Sequence, residues 1–429
     1  MDQRIALTEV EAGSDAANVQ TTAVRDGDDY VLNGSKRWIT NGGIAQALTV
    51  IAHDTSPEAA DGKPGGKPSA FLVTPEMPGF RVVEERMEKC GVRGTATSRL
   101  AFENMRVPRA NVLSKPGKGL KIALTVLDYG RTTFGASCTG AAKFCLAKAT
   151  EHAQRRVQFG QRIGDFELVK DNLARMAAGV FAMEATTYQT AALIDAGADD
   201  YMLETAMLKV MATDTLWTII NDTIQIYGGK AYFTDEPFER MLRNARINMI
   251  GEGANDVLRT FVALVGMRDV GLDLQGVLNS LKHPLKNWNR LTDFAGKRLE
   301  SMFHAPEVQV RHAELLHEAT ELGRLIARFS SQIEKLLRTY REAVVDRQYQ
   351  AGRIADSVIE LYSSTCVLRR IDALLGLHAD GTPERRRTLR TGRLALKISA
   401  RRIERALNDL WDNDDEEFNA VADQELDGK

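Results

Sequence analysis

The chain has 429 residues, of which 44% are hydrophobic and 27% charged, with a formal net charge of −2. That length suits about three domains with sizeable cores, and the composition is that of an ordinary globular protein. The small net charge gives no overall pull toward nucleic acid, and no apolar run is long enough to span a bilayer.

From the N-terminus, Ile5-Ala6-Leu7-Thr8 reads as a strand that begins abruptly, as though in the middle of a fold. The first residues carry no secretory or Arg-rich targeting pattern. A cytoplasmic, bacterial-type location is therefore expected, with a mitochondrial one left open if the chain is truncated. The stretch Tyr30 to Thr40 contains Asn33-Gly34 between two strand-like pieces, which predicts a hairpin turning at those two residues. Further strands are predicted at 47–52, 70–73, 80–84 and 98–102. The segment 54–69, rich in Pro, Gly, Lys and Asp, predicts an exposed excursion.

Beyond Gly117 the period changes. Apolar residues recur at helical spacing over 120–156, 165–196, 200–227 and 256–267, with Gly160, Gly197 and Gly228-Gly229 placed as helix stops. Four helices with short connections predict an antiparallel bundle. From residue 268 a second helical region follows, with a stripe at Ile354, Val358, Leu361, Thr365, Leu368, Ile371 and Leu375. A basic cluster runs from Arg385 to Arg405 with Leu389, Leu396, Ile403, Leu407 and Leu410 interleaved. A packed helix with a solvated face is the favoured reading, and peripheral membrane contact is the alternative. The acidic end from Asp412 reads as a disordered tail.

Four scattered cysteines show no metal spacing and fit reduced thiols. The seven histidines are dispersed, and His312 and His317, five apart, do not share a helix face, so no metal site is expected. Chemistry is signalled instead by Gly251-Glu252-Gly253, which sets one carboxylate between two glycines before an apolar helix. Glycine lets the backbone crowd a ligand, and a desolvated carboxylate has a raised pKa suited to abstracting a proton beside a carbonyl. A surface turn at a helix N-terminus is the plain alternative for that segment in isolation.

Several motifs occur in one order: Leu7-Thr8-Glu9, Ala12-Gly13-Ser14-Asp15, Trp38-Ile39-Thr40-Asn41-Gly42-Gly43, 104–108, Asp128-Tyr129-Gly130-Arg131, Arg156-Val157-Gln158-Phe159-Gly160, Gln225-Ile226-Tyr227-Gly228-Gly229, and the glutamate segment. Each is weak alone, but together they resemble the acyl-CoA dehydrogenase family, with residues 268–429 similar to the extra helical region of its very-long-chain branch. The resemblance implies an α+β chain: a β-barrel-like or β-sandwich middle domain over 1–115, an antiparallel four-helix domain over 116–267, and an additional helical domain over 268–429. It also implies that the family's N-terminal helical domain is missing from this chain, which would leave the acyl pocket open to water.

The implied reaction is FAD-dependent α,β-dehydrogenation of a fatty acyl-CoA, a long-chain one by the resemblance of the C-terminal extension, with Glu252 as the base. Leu7, Thr8, Gly13, Ser14, Trp38, Ile39, Thr40, Ala254, Asn255 and Asp256 match FAD-contacting positions. Arg156, Gln158, Phe159, Gln225, Gly228 and Gly229 match groups that hold the FAD of a neighbouring subunit, which implies at least a homodimer. Ser14, Asp128, Tyr129, Gly130, Arg131 and Gly253 match substrate contacts, and electron-transfer flavoprotein is the implied acceptor. Three positions depart from the family pattern. Ala254 replaces a customary Thr, Ala231 replaces a Gly and is expected to crowd its turn, and Glu167 replaces a Gln. A non-catalytic binding or assembly relative and an oxygen-using oxidase are the competing readings.

Overall fold

The computed structural model describes residues 3–60, 66–267 and 306–428. The chain divides into two compact units, Met1–Gly130 with Arg243–Gly253, and Arg131–Leu242 with Ala254–Lys429. The expected boundary at residue 268 lies outside the described residues.

The first unit is built on a single eight-stranded mixed sheet. Its strands are β1 (Gln3–Ala6), β2 (Thr22–Asp26), β3 (Asp29–Ile39), β4 (Ala47–Asp54), β5 (Lys67–Val73), β6 (Phe80–Glu84), β7 (Ser98–Pro108) and β8 (Val112–Leu113). The order is β6-β7-β3-β2-β4-β5-β8, with β1 added parallel to β4. Strand β4 is buried on both faces, which is why it reads as a continuous apolar run. Leu48 and Val50 join Tyr30, Leu32, Phe71 and Phe102 in one core. Ile51 faces a second core with Ala12, Val19, Ala70 and Ala123.

The predicted hairpin turn at Asn33-Gly34 is not there. Strand β3 runs unbroken through both residues, with a register shift between Leu32 and Gly34. The chain reverses instead at Gly27, in the left-handed region at φ +62°, between the paired Asp26 and Asp29. Glycine is required at 34 for another reason. A Cβ there would sit 2.5 Å from Thr21 Oγ1. Asn-Gly marked a bulge and a close crossing, not a turn. The expected excursion is also shorter than 54–69, because Asp54 pairs with Lys67 across β4 and β5, and buried Asp54 accepts from Ser69 Oγ at 2.6 Å.

Helix α1 (Gly119–Arg155) begins in the first unit and continues into the second. The second unit holds α2 (Glu167–Asp195), α3 (Met202–Tyr227) and α5 (255–267); α4 (Phe238–Arg246) ends in the first unit. Between α1 and α2 the chain forms a hairpin that the helical pattern did not foretell, with Val157–Gln158 paired to Gln161–Arg162. Phe159 and Gly160 turn it with φ of +53° and +78°, the geometry of a two-residue β-turn. Gly197, at φ +75°, ends α2 as expected. Ala231 is buried but has no left-handed backbone, so the Gly-to-Ala departure brings no backbone strain.

Helices α6 (Leu316–Tyr340), α7 (Gln348–Leu375), α8 (Pro383–Asp409) and α9 (Asp415–Asp427) complete the described chain. The α7 stripe packs as its period predicts, with Ile354, Leu368, Ile371 and Leu375 all buried. In α8 the apolar residues Ala395, Ile403 and Leu407 are buried, while Arg393 and Arg402 pair with Glu318 and Glu360 at 2.7 and 2.8 Å. This is the packed-helix reading, and α8 directs its apolar side to protein. The acidic end is a correction. It folds as α9, where Asp415, Glu416 and Glu417 occupy the first turn and complement the helix dipole. Arg353 grips Asp415 with bonds of 2.6 and 2.7 Å. Among the described residues no helix is long and apolar enough to cross a membrane.

Candidate active site

After α4, a single 3-10 turn over Ile247–Met249 leads to a tight loop in which Ile250 and Gly251 both donate to the Ile247 carbonyl at 2.9 Å. Glu252 follows at φ +59° and Gly253 at φ +96°. A left-handed backbone at a glutamate costs about 1–3 kcal/mol and persists only where the surroundings dictate it. The half-buried carboxylate lies against α1 at Gly130. A Cβ at residue 130 would stand 2.8 Å from Glu252 Oε2 and 3.2 Å from its Cδ. Gly130 therefore leaves the space that the carboxylate fills.

A second strained stretch lies at the end of β3. Trp38 and Asn41 have φ of +59° and +55°, and the Trp38 ring is 54% exposed with the Arg37 guanidinium 5.0 Å from its centre. A register shift between Lys36 and Ile39 turns Ile39 into the core and leaves Trp38 and Thr40 exposed. Asn41 Oδ1 accepts from the Ala96 N–H at 3.0 Å and Ser98 Oγ from the Gly43 N–H at 2.7 Å, so the loop is fastened from behind. Next to it, the Arg37 N–H donates to the Thr8 carbonyl at 2.9 Å. Leu7 and Thr8 are half-buried, whereas Gly13 and Ser14 lie on an exposed loop closed by Glu9 N–H to Ala12 O.

Sequence reasoning missed the group that ties these pieces together. Lys36 is fully buried and donates to Glu9 Oε1 at 2.6 Å and to the Leu7 carbonyl at 2.9 Å. Burial pushes its ammonium down to about 8 against the pull of Glu9. Burial also pushes the Glu9 carboxyl up, but the Lys36 charge and hydrogen bonds from Lys36, Thr21 and Gln20 outweigh it and hold it below the ordinary carboxylate value. The available signal was a lysine at an inward position of an alternating strand, two residues before Trp38.

In α1, Asp128 and Arg131 are almost fully buried, while Tyr129 is exposed. At the start of α5, Asn255 is buried with its amide bonded to Lys209, Thr213 and Asp214, and Asp256 is exposed beside half-buried Ala254. Lys209, also fully buried, is the second anchoring residue the sequence did not reveal.

The remaining positions cluster in the second unit. The ends of α1 and α3 meet where Tyr227 stacks on His152 at 4.2 Å, and this brings the Arg156–Phe159 hairpin near Gln225, Gly228 and Gly229. All six residues are exposed, Phe159 to 94%. Among the described residues no group of three or more His, Cys, Asp or Glu is placed to hold a metal.

The site residues fit a flavin. An exposed indole is fixed by a strained backbone, with the exposed Thr40 hydroxyl two residues further on. The chain matches the acyl-CoA dehydrogenase middle domain over residues 4–105, the acyl-CoA dehydrogenase C-terminal domain over 117–266, and the ACAD9/ACADV C-terminal domain over 313–424. It is 36% identical over 370 residues to the mitochondrial very long-chain specific acyl-CoA dehydrogenase of Homo sapiens, covering 85% of this chain but 56% of that protein. It thus spans just over half the length of such relatives. An acyl-CoA dehydrogenase complexed with FAD from Bacillus anthracis superposes with a TM-score of 0.78 at 27% identity, covering 95% of this chain and 68% of that one. Butyryl-CoA dehydrogenase from Megasphaera elsdenii gives a TM-score of 0.58 at 33% identity, covering 62% and 68%. With three family domains matched in order along one chain, this protein belongs to the acyl-CoA dehydrogenase family.

Proposed function

We propose that this chain carries the catalytic part of an FAD-dependent acyl-CoA dehydrogenase that introduces a C2–C3 double bond into a fatty acyl-CoA, with a preference for long chains. The observation that carries this reading is Glu252, held in a left-handed backbone with its carboxylate in the space left by Gly130. In the reaction Glu252 takes the C2 proton, and the C3 hydrogen leaves with its electron pair as the double bond forms. Bound FAD supplies the acceptor for that hydrogen. Trp38, Thr40, Leu7, Thr8, Gly13 and Ser14 hold the flavin, while Asp128, Tyr129, Arg131 and Gly253 meet the thioester substrate. The α-proton is only weakly acidic, so hydrogen-bond donors aimed at the thioester oxygen must share the work, each contributing about 3 kcal/mol of barrier lowering.

The exposed set at Arg156, Gln158, Phe159, Gln225, Gly228 and Gly229 supports a homodimer in which one subunit completes the flavin site of the other. The long-chain preference is supported by the match to the ACAD9/ACADV C-terminal domain. One structural neighbour, from Acidaminococcus fermentans, is described as an electron transferring flavoprotein, and we take such a flavoprotein as the electron acceptor.

The test is spectroscopic. Purified protein loaded with FAD should bleach at its flavin band when a long-chain acyl-CoA is added without oxygen. Glu252→Gln should keep the flavin and lose about 10²–10⁴-fold in turnover, the range of a positioned general base. Turnover within tenfold of the parent contradicts the assignment. A chain that holds no flavin and does not respond to acyl-CoA is a binding or assembly subunit, and stoichiometric peroxide release identifies an oxidase. Gly130→Ala tests the same geometry from α1. Its methyl group would meet the carboxylate, so turnover should fall about tenfold or more, because a displacement near 1 Å has a large effect at a reacting centre.

A further inference from the structure

A chain of polar contacts runs from the segment that carries Glu252 to helix α7. Three residues after Glu252, Asn255 opens α5, and its Oδ1 accepts from Lys209 Nζ at 2.8 Å. Its Nδ2 donates to Thr213 Oγ1 at 3.0 Å and to Asp214 Oδ1 at 2.7 Å. The other oxygen of Asp214 accepts from Arg259 Nη2 at 2.7 Å. One turn beyond Asn255 on the same face of α5, Arg259 turns its Nε to Asp356 Oδ1 at 2.8 Å. Lys209, Thr213 and Asp214 lie on α3, Asn255 and Arg259 on α5, and Asp356 on α7. Lys209 is fully buried, whereas the side chains of Asp214, Arg259 and Asp356 are 37%, 25% and 51% exposed.

We propose that Arg259 is a positioning residue through which Asp356 of the C-terminal region sets the segment bearing Glu252. The reading of Glu252 as the base is assumed. Arg259 uses two different nitrogens of its planar fork on two carboxylates from two helices, an arrangement a lysine cannot reproduce. With Arg259 in place, Asp214 has one oxygen fixed, so its other oxygen is aimed at the Asn255 amide. With the amide fixed from both ends, by Lys209 and by Asp214, the first turn of α5 cannot rotate. Glu252 is joined to that turn through Gly253 and has a left-handed backbone, a state that a non-glycine residue keeps only where its surroundings hold it. The C-terminal region therefore stiffens the base segment as well as adding bulk.

The experiment uses the full chain and reads backbone amide exchange by mass spectrometry, together with flavin content and steady-state kinetics. Arg259→Gln should speed exchange of the amides of 252–258 by about tenfold, and Asp356→Asn by about threefold, the span expected for residues along a coupling network. Turnover should fall in the same order with KM for acyl-CoA unchanged. Arg259→Lys, which keeps the charge and loses the fork, should behave as Arg259→Gln does, and it stands in if the glutamine variant does not fold. Exchange of 252–258 within about twofold of the parent in both Arg259 variants overturns the proposal. A change with Arg259→Gln but none with Asp356→Asn overturns the part assigned to the C-terminal region. Glu252→Gln is run alongside. If it retains turnover, the base assignment fails, while the exchange result still decides the coupling.

Discussion

Two fully buried lysines, one in each unit, show contrasting ways of holding a site. Lys36 in the sheet unit meets a carboxylate, Glu9, and through the Leu7 carbonyl it fastens the loop beside Trp38. Lys209 in the helical unit donates to the Asn255 amide oxygen and so joins a network that reaches Asp356. The sheet unit holds its loop by a short, buried ion pair. The helical unit holds its segment by distributing contacts over three helices. A buried charge is seldom retained for stability alone, since well-packed apolar residues serve as well or better. Both lysines stand next to segments we propose for the flavin or the base.

The largest predicted effect distinguishes the two devices directly. Lys36→Met leaves Glu9 buried without its partner and should lower stability by about 3–5 kcal/mol in urea unfolding, with loss of flavin. Replacing both partners, Lys36→Met with Glu9→Leu, should recover most of that stability without recovering flavin affinity. Recovery of both would mean that the pair does not position the loop. Lys209→Met removes a donor from a buried amide oxygen and should cost about 2 kcal/mol. If it costs as much as Lys36→Met, the contrast between ion pair and distributed network fails.

The smallest effect is a pH dependence. The Lys36 ammonium titrates at about 8 in the folded chain against 10.5 when free. The folded chain sheds this proton before the unfolded chain does. The contribution of Lys36 to stability therefore rises with pH between about 8 and 10.5 and is least favourable below that window. Subtracting the unfolding curves of Lys36→Met from those of the parent at pH 7.5, 8.5 and 9.5 (roughly spanning the folded value) should show the parent gaining relative to the variant. A flat difference would remove the charge from the account.

Where local pattern dominates, the sequence was a good guide. The helical spacing of α1 to α3 and the stripe of α7 follow from periodicity, because one face of each helix must be buried. Gly197 ends its helix because only a residue tolerant of positive φ closes that turn without cost. The acidic end misled for a local reason too. Its charges were counted as solvating, although at a helix N-terminus they favour order. Asn33-Gly34 misled because a glycine can be demanded by a neighbouring strand as readily as by a turn, and Thr21 lies far from it in sequence.

For the candidate site, residue identity and order were enough to assign the family, and residue type and spacing put Glu252 and Trp38 forward as candidates. The left-handed states of both residues, the gap at Gly130, and the anchoring by Lys36 and Lys209 were decided by tertiary contacts. Each arises from groups distant in sequence that share one desolvated volume, and no local pattern records which distant group will fill it.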